Sequence, residues 1–299
     1  MLRCVRLHEA VSVLRVLVMS VRVQFPHDTL DALMAAIEVD DVVDDYIALP
    51  ERIPDSFSQT QLAECLNLCR QLWLEGPPRA ELAGLAHRLV GRRDLQPQER
   101  AAFKHIRARY KHMGFAFGLY TPAHKRPFLY EATSTLMGEA QDAFRNGYGG
   151  RVFLFGIGIS VLATPFFDGL RRRTVQMAEV DRADAINQHL RAEIARIPAF
   201  LDASGLTGAR FHALRKIISR HVAFFDTLRV LYPAEDIYRL ARFLSAINGL
   251  MGQKHDELVQ AALSGTLRYQ TDLFPIPDTI RILLEQLCRA YPGLSAAQA

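Results

Sequence analysis

From Ser58 onward the apolar residues recur every three or four positions, the period of an amphipathic helix, and no stretch alternates as a strand would. Phe211, Leu214, Ile218, Phe225 and Leu228 form one such stripe, with Thr207 placed to cap its start. Ile237, Leu240, Leu244, Ile247, Met251 and Leu258 form the next, in a helix predicted to carry Pro233 in its first turn. Glycines and prolines at Gly76 to Pro78, Gly91, Pro122, Gly147 to Gly150, Pro198, Gly205 to Gly208, Gly265 and Pro275 to Pro277 separate helix-sized segments. The pattern predicts an all-α fold.

Two segments run in parallel. Phe103, Arg107 and Phe117 match Phe211, Arg215 and Phe225, and each helix is followed by a second ending Leu-Met-Gly-x-x-x-Asp. The endings are Leu136 to Asp142 and Leu250 to Asp256, which makes Gly138, Asp142, Gly252 and Asp256 a repeated structural signature. The glycine admits a close neighbour, and the aspartate one turn later can pair with a cation on a facing helix. The predicted organisation is an acidic, irregular segment over 1–56, a first helical-bundle repeat over 57–149 and a second over 150–299. In the first segment Asp40, Asp41, Asp44 and Asp45 cluster before Pro50 and Pro54, as a solvated face or loop.

Charge adds a candidate chemistry. The formal net charge of +4 on 299 residues permits a local basic surface without announcing nucleic acid. On the first helices of the two pairs, Lys104, Arg107, Lys111 and His112 share one side, as do His212, Arg215 and Arg220 with Lys216 beside them. Brought together, the two faces would make a groove suited to a polyanion.

A His-x-x-Arg opening, further bases along the same helix and a partner helix ending Gly-x-x-x-Asp resemble the CHAD family, the conserved-histidine α-helical domains. That resemblance implies two four-helix repeats and a basic channel for inorganic polyphosphate. It maps His212, Arg215 and Arg220, then Gly252 and Asp256, onto the family pattern. The first copy offers Lys104, Arg107, Lys111 and His112, then Gly138 and Asp142. Ser219, Val222 and Gly114 stand where the family has bases. The expected function is non-enzymatic binding of a polyphosphate-like anion, with no cofactor and no metal. A helical adaptor for another protein or for a membrane surface is the alternative.

A third reading takes His221, His255, Asp256 and Asp272 as the ligands of a metal-dependent phosphohydrolase of the His-Asp type. The repeat argues against it, because the first copy has Gln141-Asp142 and keeps the aspartate without the histidine. No Gly-x-Ser-x-Gly elbow, His-Glu-x-x-His or phosphate-loop motif occurs, and Gly156 and Gly158 lack the spacing of a dinucleotide site. Cys4, Cys65, Cys69 and Cys288 are too sparse for a disulfide framework, so a reducing cytoplasm is expected. The basic, apolar first 18 residues lack the cleavage pattern of a secretory signal, and Met19 is an alternative start. The apolar run Val152 to Phe167, flanked by Arg151 and by Arg171 to Arg173, is too short to span a bilayer. It is expected to be a buried core helix, with membrane association as the rival.

Overall fold

The computed structural model describes residues 23–44 and 48–292, and the chain it describes is all-helical. Cys4, Met19 and Asp45 lie outside the described residues. No strand forms among the described residues. The nearest approach to one is a single antiparallel bridge between Leu206 and Phe274. The helices are α1 (His27–Glu38), α2 (Gln59–Leu74), α3 (Arg79–Arg92), α4 (Pro97–Tyr120), α5 (Phe128–Arg145), α6 (Gly149–Leu162), α7 (Pro165–Gln176), α8 (Ala183–Ile194), α9 (Pro198–Leu201), α10 (Gly208–Leu231), α11 (Glu235–Leu263) and α12 (Asp278–Ala290).

Their starts follow from local chemistry. Ser58 and Gln61 form a reciprocal capping box at α2, and Gln96 with Glu99 does the same at α4, where Pro97 fixes the first turn. The Thr207 side chain accepts the Arg210 amide at the start of α10, as its place in the sequence predicts. Pro233 stands just outside α11, which begins at Glu235. Gly147 and Gly265 take positive φ directly after α5 and α11, a conformation glycine adopts without the Cβ clash.

The middle of the molecule is a crossing of α4 and α10. Every residue from His112 to Tyr120 and from His221 to Leu228 is buried, so both helices are enclosed on all sides there. Around α10 pack α1, α2, α4, α8 and α11, and around α4 pack α1, α2, α3, α5, α8 and α10. Polar groups in this centre have to find partners inside it. His112 Nε2 meets Thr227 Oγ1 at 2.9 Å, and Cys69 Sγ lies 3.6 Å from the same hydroxyl. Cys65 and Cys69 are core residues, and burial lifts the Cys69 thiol to about 12.

Two regions differ from the sequence reading. Residues 27–38, expected to be irregular, form α1, because Leu30, Leu33, Met34 and Ile37 make a helical stripe that is buried against the body. The apolar run, expected in the core, forms α6 and the first part of α7. Only Val152, Gly156 and Ile159 of α6 are buried. Residues 150–176, placed by the sequence division with the second half, pack on α2, α3 and α5 of the first.

The acidic residues before Pro50 act as a strap on α11. Arg242 holds Asp44 through two nitrogens and also bonds the Val39 and Val42 carbonyls. Asn248 Nδ2 donates to the Asp40 carbonyl at 2.9 Å, and its own oxygen accepts from Ser219 Oγ at 2.7 Å. At Gly249 a methyl group would run into the Asp41 carbonyl oxygen. Backbone is in the way there, which a rotamer change cannot relieve. Gly249→Ala is therefore expected to destabilise the protein by about 1–3 kcal/mol, the usual cost of overpacking, despite the better helix propensity of alanine. Denaturant unfolding of the two proteins measures it, and unchanged stability would show that the strap does not hold in solution.

Candidate anion-binding groove

The repeated signature has a common geometry. In the first pair the Arg107 guanidinium lies across Gly138, so that a methyl group there would sit 3.3 Å from Nη2. In the second pair Arg215 lies across Gly252 in the same way, at 2.9 Å. Phe103 and Phe211 are both fully buried, as are Met137 and Met251. The glycine is thus the floor on which each arginine rests. This correspondence covers α4–α5 and α10–α11; the helices around them do not enter it.

The two signatures also approach each other. Arg107 feels the charge of Arg215, and Asp142 that of Asp256 and His255. Arg145 reaches toward Asp256 at 3.9 Å and Gln260 donates to Asn146 at 2.9 Å, joining the ends of α5 and α11. His212 and His255 stand with ring centroids 5.0 Å apart, and Tyr269 Oη lies 3.1 Å from His255 Nε2. Four buried polar atoms here have no hydrogen-bond partner among the described residues: Arg215 Nε, His212 Nδ1, His255 Nδ1 and Gln141 Oε1. Gln141 and His255 occupy the same place in the two signatures, one residue before the aspartate.

Further along, a cation that the helical offsets do not reveal joins the row. Arg126, in the turn before α5, lies across Gly114 of α4, with its Nε 3.0 Å from where a Cβ would be. Its guanidinium also covers the Phe115 ring at 5.1 Å. Burial lowers Arg126 from its ordinary value, and Arg220 pushes the same way. Lys216 is likewise lowered, first by desolvation and then by Arg126 and Arg220, with Glu131 opposing. Arg107 is lowered by burial, with Arg145 and Arg215 adding to the effect and Asp142 against it. The guanidinium groups remain cations throughout.

Among the described residues, Arg107, Arg126, Arg215 and Lys216 make no hydrogen bond and no ion pair. Three other expected anion ligands are engaged within the fold. Arg220, an expected anion ligand, is held by both oxygens of Glu193. Lys111 pairs with Asp40 at 2.7 Å. His112 is a correction: it faces Thr227 in the core, and burial pushes its imidazole down to about 4. Lys104 is exposed, and His212 is half-buried beside Arg215. Desolvation, then Lys216, His255 and Arg215, push His212 down to about 4. Arg107, Arg215, Lys216 and His212 thus come together, Lys111, Arg220 and His112 are engaged elsewhere, and Arg126 enters from a loop.

The residues of the His-Asp reading do not assemble. His221 is buried and bound to the Ile217 and Leu190 carbonyls, while Asp272 is tied to Arg268. No group of three or more His, Cys, Asp or Glu among the described residues is arranged to hold a metal ion.

The buried histidines set an acid limit. His112, His212 and His221 all have lowered values, so the unfolded chain takes up their protons first. Stability is then lost as pH falls from about 6.5 toward 4. His112→Gln, which keeps a polar partner for Thr227, is expected to remove about 2–3 kcal/mol of the loss between pH 7.5 and 4.5. Urea unfolding at the two pH values checks it, and an equal loss in both proteins would mean that His112 is charged in the folded state.

No family model, no curated protein and no solved structure matches this chain.

Proposed function

We propose that the chain binds an extended, phosphate-rich anion, of which inorganic polyphosphate is the simplest, in the groove lined by Arg107, Arg126, Arg215 and Lys216. The observation that carries this reading is the gathering of cations that make no hydrogen bond and no ion pair among the described residues, although the charges of Asp142 and Glu131 reach them. Like charges held near one another repel, and a bound anion would offset that repulsion. The glycines at 114, 138 and 252 let the guanidinium groups of Arg126, Arg107 and Arg215 come close to helix backbone, and a guanidinium is suited to contact phosphate oxygens. The resemblance to the CHAD family points the same way. So does the contrast with Arg70, Arg171, Arg242 and Arg281, each of which donates to a backbone carbonyl or a carboxylate.

The reading is one of binding without turnover. Arg107 and Arg215 make the central contacts, Arg126 and Lys216 extend the track, and His212 becomes a further donor when protonated. Reduced thiols at Cys65 and Cys69 suit a cytoplasmic setting.

Fluorescence anisotropy or filter binding with long-chain polyphosphate, at low and physiological salt, tests it. Affinity should fall steeply with salt. Arg107→Ala and Arg215→Ala should each weaken binding by about tenfold or more, the scale of one lost charge-assisted contact. Lys104→Ala should change it by no more than about twofold, as an exposed charge does. Absence of binding by the native chain at low salt sinks the proposal.

Proton linkage gives a separate check. An anion beside His212 raises its pKa from about 4. Affinity should therefore rise as pH falls from 7 to 5, with proton uptake on binding. Calorimetry in buffers of different ionisation enthalpy reads the uptake, which His212→Ala should reduce.

A further inference from the structure

We infer that the bent pair α6–α7 is a docking face that rests on an anionic lipid surface without crossing it. One side of α6 is fastened to the body. Val152 and Ile159 are fully buried, Gly156 packs against Leu89 and Val90 of α3, and Gly158 packs against Leu136 of α5. The glycines bring the helix close on that side. The other side carries large apolar groups to solvent: Phe153, Leu154 at 63% exposure, Ile157 and Val161 at 50%. Positions 153, 154, 157 and 161 follow the helical period, so they form one stripe.

Exposed apolar residues recur past the break between the helices. On α7, Phe166 is 70% exposed, Leu170 is exposed a turn later, and Met177 stands just beyond the helix end. Single exposed apolar residues are ordinary on a protein surface, but two successive helices that each expose several are not. Cations border them. Arg151 lies over the Tyr148 ring, Arg93 over the Phe153 ring, and Arg173 is exposed near the end of α7. The one acidic residue from 149 to 177 is Asp168, which is held by Arg171 and Arg172.

Apolar residues bordered by arginines, in a segment whose single acid is already paired, fit acyl chains beneath anionic headgroups. A second copy of the chain fits less well, since a two-fold contact would set arginine against arginine. Among the described residues no single helix is long and apolar enough to cross a membrane, and α6 and α7 meet at a bend of 69°. That geometry suits a shallow seat in the interface.

Co-sedimentation of the full chain with vesicles tests the inference. One set is phosphatidylcholine alone; the other contains about a third phosphatidylserine, enough for a negative surface potential. The native chain should partition at least tenfold more strongly onto the anionic set. Leu154→Glu with Phe166→Glu should abolish that gain while leaving polyphosphate affinity unchanged. Arg151→Ala with Arg173→Ala, a milder surface change, should weaken partitioning and its salt dependence. Arg107→Ala with Arg215→Ala should leave it intact. The inference is overturned if the native chain ignores anionic vesicles, or if the groove variant loses binding while the apolar-face variant keeps it. It is equally overturned if light scattering shows a native dimer that Leu154→Glu with Phe166→Glu turns into a monomer. The inference does not depend on the groove, and either can fail alone.

Discussion

Enclosure of α10 on every side between His221 and Leu228 is the constraint around which the rest is arranged. A helix buried all round has no solvent to satisfy its polar groups, so neighbours must bring partners to it. α4 brings His112 to Thr227, α2 brings Cys69 to the same hydroxyl, and α8 brings the Leu190 carbonyl to His221. Asp226 is the dearest of these groups. Burial lifts its carboxyl to about 7, and Arg229, one turn on, is what keeps its charge tolerable. Specific polar pairings of this kind select one arrangement of the helices among many that would bury similar apolar area.

The same helix supplies charge at its exposed beginning. Arg215 and Lys216 lie about one and a half turns ahead of the enclosed stretch, where the packing opens. Several basic residues are paired locally, as Arg220, Lys111 and Arg242 are, whereas those of the groove are not. That contrast marks the cluster more clearly than net charge does, since +4 on 299 residues is unremarkable.

The all-helical class and the main stripes were legible in the sequence because helix period and capping chemistry are local. Thr207, Ser58 with Gln61, and the glycines after α5 and α11 act within a few residues of where they stand. The Arg-over-Gly arrangement was half legible: the spacing marked Gly138 and Gly252, but which group rests on them is a property of two facing helices. Arg126 escaped because it sits in a turn and joins the groove through space, outside any helical offset. His112 was misplaced for the converse reason. Its offset from Lys104 puts it on the basic side of an ideal helix, yet α10 covers that part of α4. The apolar run was judged by composition, which cannot tell a helix buried on one face from one buried on all. Gly156 and Gly158, passed over as a dinucleotide signal, turn out to mark the face that packs.

The strap of residues 39–44 bears on more than the place where it lies. Asp40 neutralises Lys111, and its charge also reaches Arg107 and His112. The strap is thus the counter-electrode of the groove, a tethered anion beside the cations that an external one would meet. Peeling it from α11 would leave Lys111, Arg242 and the ungated backbone at Gly249 open together. The electrostatic character of the groove is in this sense held from outside, by a segment far from it in the chain.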